Sequence, residues 1–112
     1  MSRIINVGSF REFIQIQDYT SKINDNGFEE NRWITLFNKR SSAKAPSLRK
    51  QEIFKNKGIE ITLLMEFTFR YCEGLTYGQR ILWNDQYWDI KGIENPDGRR
   101  IYHQVLCERV LT

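Results

Sequence analysis

Long apolar runs are missing: no stretch of the 112 residues approaches the roughly 20 consecutive apolar positions that a membrane helix needs. The opening MSRIINVGSF also lacks the apolar core of a secretory signal, so no targeting segment is expected. Cysteine is scarce. Cys72 and Cys107 are too few and too far apart for a zinc cage or a disulfide framework, and we expect both to be reduced in a cytoplasm. There is one histidine, His103, which gives a Ser/His or Cys/His apparatus little to work with. The seven glycines are scattered, and none forms a phosphate-cradling loop. Acids are present, but Asp85, Asp89, Glu94 and Asp97 read as turn and outward-facing strand residues rather than a hydrolytic pair. These absences leave no catalytic set, no metal site and no cofactor to expect.

The rest of the composition is that of one ordinary globular domain spanning residues 1–112, with 40% hydrophobic and 28% charged residues. Its formal charge of +3 is unevenly spread. Lys39, Arg40, Lys44, Arg49, Lys50, Lys55 and Lys57 face a single acid, Glu52, so residues 39–57 carry +6 and the remainder −3. A basic insert on a slightly acidic body bears on partners more than the total does.

Residues 79–109 organise the fold. Three runs rich in β-branched and aromatic residues are separated by Asn84-Asp85 and by Asn95-Pro96-Asp97-Gly98. Asn, Asp and Gly tolerate positive φ, and Pro96 cannot donate to a ladder, so both separators predict tight turns in an antiparallel meander. Ile81 and Trp83 face one side, as do Trp88 and Ile90, but Ile93 is apolar on the wrong parity, which predicts a β-bulge at Gly92. The last strand, Arg100 to Val110, places Ile101, Val105 and Cys107 inward, with His103 between them as a core or lumen histidine.

Upstream, Met1 to Gly8 reads as a loose or short helical arm, Phe10 to Gln17 as a strand, and Asp18 to Gly27 as a turn region with a hairpin signal at Asn26-Gly27. Arg32 to Asn38 is a second strand. Residues 39–58 are expected to form a mobile basic loop with one or two helical turns, started by Ser47 and ended by Gly58, with Leu48, Glu52 and Phe54 close on one side. From Ile59 to Tyr71, apolar residues recur at every second position. This predicts one half-buried strand of roughly 43 Å at about 3.3 Å per residue. So long a strand must curl or project, and curling is how a small barrel closes its edges. The fold class expected is mainly β: a small antiparallel barrel of about six strands, with a long basic loop carrying a short helix.

Small barrels of this kind bind nucleic acid through exposed aromatics and basic grooves. The aromatic candidates are Trp33, Tyr77, Tyr87 and Tyr102, and the basic ones are the seven residues between Lys39 and Lys57. A loop that touches phosphates without reading sequence fits the composition better than specific readout. A monomeric OB- or SH3-like nucleic-acid-binding module is the alternative reading.

Several motifs, in this order, resemble a known family. They are Phe69-Arg70-Tyr71, Arg80-Ile81, the hairpin from Trp83 to Ile90, Ile93-Glu94-Asn95-Pro96-Asp97 and Leu106-Cys107-Glu108-Arg109. Ile14-Gln15-Ile16-Gln17 and Thr35-Leu36-Phe37-Asn38-Lys39-Arg40 match upstream, and Glu52 sits where an acidic residue often follows the loop. Together they look like the head–tail joining proteins of tailed phages, the small head-completion or stopper proteins of siphophages and prophages. Phe37-Asn38 departs from the family's more frequent Trp-Ala, and the loop here is unusually basic. The resemblance implies a barrel that is monomeric or weakly associated alone. In the virion neck it would form a ring, commonly a dodecamer, between the portal-bound adaptor and the tail completion protein. That ring would close the DNA exit channel and present the tail attachment surface, after assembly in the host cytoplasm. The basic loop would then make non-specific contact with packaged DNA.

Overall fold

A computed structural model describes residues 7–111; the arm expected at Met1 to Gly8 lies largely outside them. Six strands and one helix follow in order: β1 (Glu12–Ile23), β2 (Glu29–Lys44), α1 (Leu48–Asn56), β3 (Leu64–Arg70), β4 (Arg80–Trp83), β5 (Gln86–Glu94) and β6 (Tyr102–Arg109). All strand pairs are antiparallel, and the order β1-β2-β3-β6-β5-β4 closes on itself through the β1–β4 pair. The predicted class, a small antiparallel barrel of about six strands, is the observed one.

The meander forms as its turn residues dictate. Asn84 and Asp85 adopt φ of 53° and 60° between Trp83 and Gln86, the left-handed pair that a two-residue hairpin needs. Pro96 to Gly98 makes a single 3-10 turn, and the Asn95 side chain accepts a hydrogen bond from the Arg100 amide at 3.1 Å. The β5–β6 register shifts between Ile90 and Gly92, the predicted bulge. β6 starts at Tyr102, however, and Ile101 is 46% exposed rather than inward.

Alternation fills the lumen. Ile14, Ile16, Phe67, Phe69, Ile81, Trp88, Ile90, Val105 and Cys107 form one buried cluster. Phe67 stands edge-on to both Trp83 and Trp88, with ring centroids 5.6 and 6.0 Å away.

Three expectations need correction. Asp18 to Ile23 is strand, not turn; the turn is confined to Asn24–Phe28, where the Asn24 carboxamide accepts from the amides of Asn26 and Phe28 at 3.0 Å each. β2 likewise runs from Glu29 to Lys44 and absorbs the first part of the supposed loop. Beyond Gln17 and Thr35 neither strand has a barrel neighbour in register, so residues 18–34 project as a two-stranded ribbon and the molecule measures 56 × 31 × 24 Å. The long curling strand from Ile59 to Tyr71 does not exist. Residues 61–63 form a 3-10 turn, and β3 has seven residues, buried on both faces from Leu64 to Phe69 except for partly buried Met65. Helix α1 lies over its outer side.

Candidate functional site

The basic residues belong to three different settings. Lys39, Arg40 and Lys44 lie on β2, in strand rather than loop. Arg40 stacks its guanidinium 4.4 Å from the Phe13 ring centroid, at the register position opposite it. Arg49, Lys50 and Lys55 lie on α1, and Lys57 caps its C-terminus with its ammonium 5.1 Å from the Phe54 ring. Ser47 begins the helix by accepting from the Lys50 amide, and Gly58, at φ +83°, turns the chain out of it. The helix is nine residues, about two and a half turns, and contains no buried residue.

Lys50 differs from the other six. Its ammonium lies 2.8 Å from Glu66 and 3.1 Å from Glu94, with the side chain 19% exposed. Glu66 is itself buried, and its second oxygen accepts from the Gln104 amide at 2.7 Å. A buried carboxylate is tolerated when its lone pairs are met in this way. Lys50, Glu66 and Gln104 therefore hold α1 against the outer wall of β3 and β6, with small clefts on either side of the network. The alternation in β3 marked Glu66 as outward-facing, but not that a helix would cover it.

The aromatic candidates do not form an open stacking platform. The Arg80 guanidinium lies 4.1 Å from the Trp33 ring and 3.7 Å from the Tyr87 ring, and its Nε donates to Gln17 at 2.8 Å. The clamp sits where the ribbon leaves the barrel, and Trp33 also meets Tyr19 edge-on across the ribbon. Tyr102 stands edge-on to Phe10. Tyr77 is 62% exposed, with its hydroxyl accepting from the Ile93 amide. Other exposed apolar residues include Leu48 on α1, Phe13 on β1, and Ile23 and Phe28 on the ribbon tip, the last two next to exposed Asp25, Glu29 and Glu30.

The remaining chemistry-bearing residues are occupied with packing. His103 is buried, donates from Nε2 to the Cys72 carbonyl at 2.9 Å and stacks on Tyr71. Burial pushes the Cys107 thiol well above its ordinary value, and the nearby Asp89 charge adds to the effect. Burial also raises Cys72, against a smaller opposing pull from Lys39. Among the described residues no group of His, Cys, Asp or Glu is placed to hold a metal ion, and no helix is long and apolar enough to cross a membrane.

Comparison with known proteins gives this arrangement a context. No curated protein matches the chain. Among solved structures, a Shigella flexneri 2a protein determined in solution superposes with a TM-score of 0.71 at 22% identity, covering 94% of this chain and 96% of that one. A chain from the virion of a native gene transfer agent particle superposes with a TM-score of 0.53 at 12% identity, over 91% and 96%. Both likenesses are of fold. The model of the phage head completion protein family matches residues 5–110. With that match over nearly its whole length, the chain belongs to the phage head completion protein family, structural proteins of the virion with a role where head meets tail.

Proposed function

We propose that this protein is a stopper of a siphophage or prophage. Copies of it, twelve in the usual arrangement, form a ring between the portal-bound adaptor and the tail completion protein. The ring closes the DNA exit channel and presents the surface to which the tail attaches. Assembly takes place in the host cytoplasm, and the work is contact and obstruction, with no bond made or broken. The family match over residues 5–110 carries this reading.

The structure adds a physical reason for placing the corner between β2 and α1 toward the channel. Lys44 and Arg49 are exposed there, with Lys39 and Arg40 behind them on β2. Repetition around a ring concentrates that charge, which favours a polyanion in the lumen and gives contacts that weaken with salt. Lys50 is committed to Glu66 and Glu94, so it serves the fold of this corner more than the DNA. A monomeric nucleic-acid-binding module is less well supported, because Arg80 already occupies faces of Trp33 and Tyr87.

Removal of the gene tests the proposal. Heads should still fill, then lose DNA and fail to acquire tails, and the wild-type chain should reverse both defects. A chain with Lys44→Gln and Arg49→Gln should restore tails while retaining less DNA in tail-less particles. Normal, tailed, DNA-filled particles without the gene would contradict the reading.

A further inference from the structure

The two ends of β2 carry opposite charge. Residues 24–31, the ribbon tip, hold Asp25, Glu29 and Glu30 and no basic residue, with Lys22 opposite Glu30 in register and Arg32 next along β2. All three acids are exposed, as are Phe28 at 69% and Ile23 at 77% beside them. Sixteen strand residues later the chain enters α1, whose C-terminal end exposes Lys55 and Lys57. Next to them lies an open cleft of about 440 Å³ lined by Lys55, Gly58, Ile59, Glu60 and Thr62. The carbonyls of Phe54 and Lys55 in the last turn accept from the amides of Lys57, Gly58 and Ile59, and the charges this end offers are the ammonium groups of Lys55 and Lys57.

Tip and cleft cannot meet within one molecule. A 16-residue strand spans about 50 Å, and the ribbon leaves the barrel at the end opposite to that from which residues 59–63 enter β3. Between copies they can. We infer that the acidic, apolar tip of one subunit docks at the cleft beside Lys55 and Lys57 of a second copy of this chain, with Phe28 toward Ile59 and with Glu29 and Glu30 toward Lys55 and Lys57 and away from Glu60. Such a contact is heterologous, and a heterologous contact closes a ring when its repeated rotation completes a full turn without translation. The inference rests on the ring reading above and deepens it. It assigns Lys55 and Lys57 to the neighbouring subunit and leaves Lys39, Arg40, Lys44 and Arg49 toward the channel.

Charge exchange tests it. A tip variant, Glu29→Lys with Glu30→Lys, and a cleft variant, Lys55→Glu with Lys57→Glu, are each added as full chains to heads lacking this protein, and tailed particles are counted. Each variant alone should lower the count by about tenfold, since like charges then face each other, and all four changes in one chain should recover it to within about threefold. Undiminished joining by either single variant would overturn the inference. So would a tip defect that the cleft change does not repair, which would show the tip seated on another neck protein. Should a reversed chain fail to fold, Phe28→Cys with Thr62→Cys replaces it, the native thiols being buried. Oxidised necks should then give a ladder of linked subunits, and monomers alone would refute the contact. Failure of the wild-type chain to restore joining would sink the ring reading itself, and the docking with it.

Discussion

Arg80 shows how much one side chain organises here. Its guanidinium lies between two aromatic faces and also donates to Gln17, so it fastens the ribbon to the barrel at the point where strand pairing narrows to two. Replacing it with Ala should cost about 1–2 kcal/mol in urea unfolding at low salt, and with Lys somewhat less, since Lys lacks the planar fork. Cys107 acts through its surroundings. Its thiol titrates above its ordinary value of 9.0 in the folded chain and near that value when unfolded. The unfolded chain therefore sheds this proton first. Stability is fully present below about pH 9 and should fall as pH rises from there toward the folded-state value. Urea melts of the wild type and of Cys107→Ala across pH 7 to 11 should show a shallower alkaline decline in the variant, on top of a pH-independent loss of about 1–2 kcal/mol from the small cavity. Parallel alkaline limbs would show that Cys107 is not the group responsible.

Elements divide by whether local chemistry or distant packing decides them. The Asn84-Asp85 turn, the Asn95–Gly98 turn and the Gly92 bulge were legible because each is written in residues that tolerate special backbone geometry or in a slip of parity. The first half of the ribbon was not. Asp18, Thr20 and Ser21 look like turn residues, and only pairing with Trp33 and its neighbours makes them strand. Ile59, Ile61 and Leu63 continued the alternation of β3, yet the chain must return there from α1 and does so through a 3-10 turn. The anchoring of α1 was equally hidden, since Lys50 meets Glu66 and Glu94 across 16 and 44 positions of sequence. Lys50→Ala strands the buried Glu66 and should cost about 2–3 kcal/mol. Adding Glu66→Met in the same chain should recover much of this, because an apolar replacement removes the unpaired charge. Chemical denaturation of the two variants measures the difference; equal losses would mean that the carboxylate is not what Lys50 compensates.

The molecule as a whole is a closed wall with two appendages: an acidic ribbon at one end and a basic helix on the outside near the other. The sequence carried the wall and the basic segment plainly, in period-two alternation and in the +6 of residues 39–57. The negative remainder was visible only as a sum, and the placing of Asp25, Glu29 and Glu30 at a projecting tip needed the register of β1 on β2. The fold is also shared at 12–22% identity, as expected when alternation and turn geometry constrain the chain more than particular side chains do. Cryo-imaging of purified particles is the decisive measurement. It should reveal a ring of these barrels in the neck, between head and tail, with the β2–α1 corner toward the channel and DNA density ending at it. Necks that bear tails and hold DNA with no copy of this barrel in that position would contradict the ring reading.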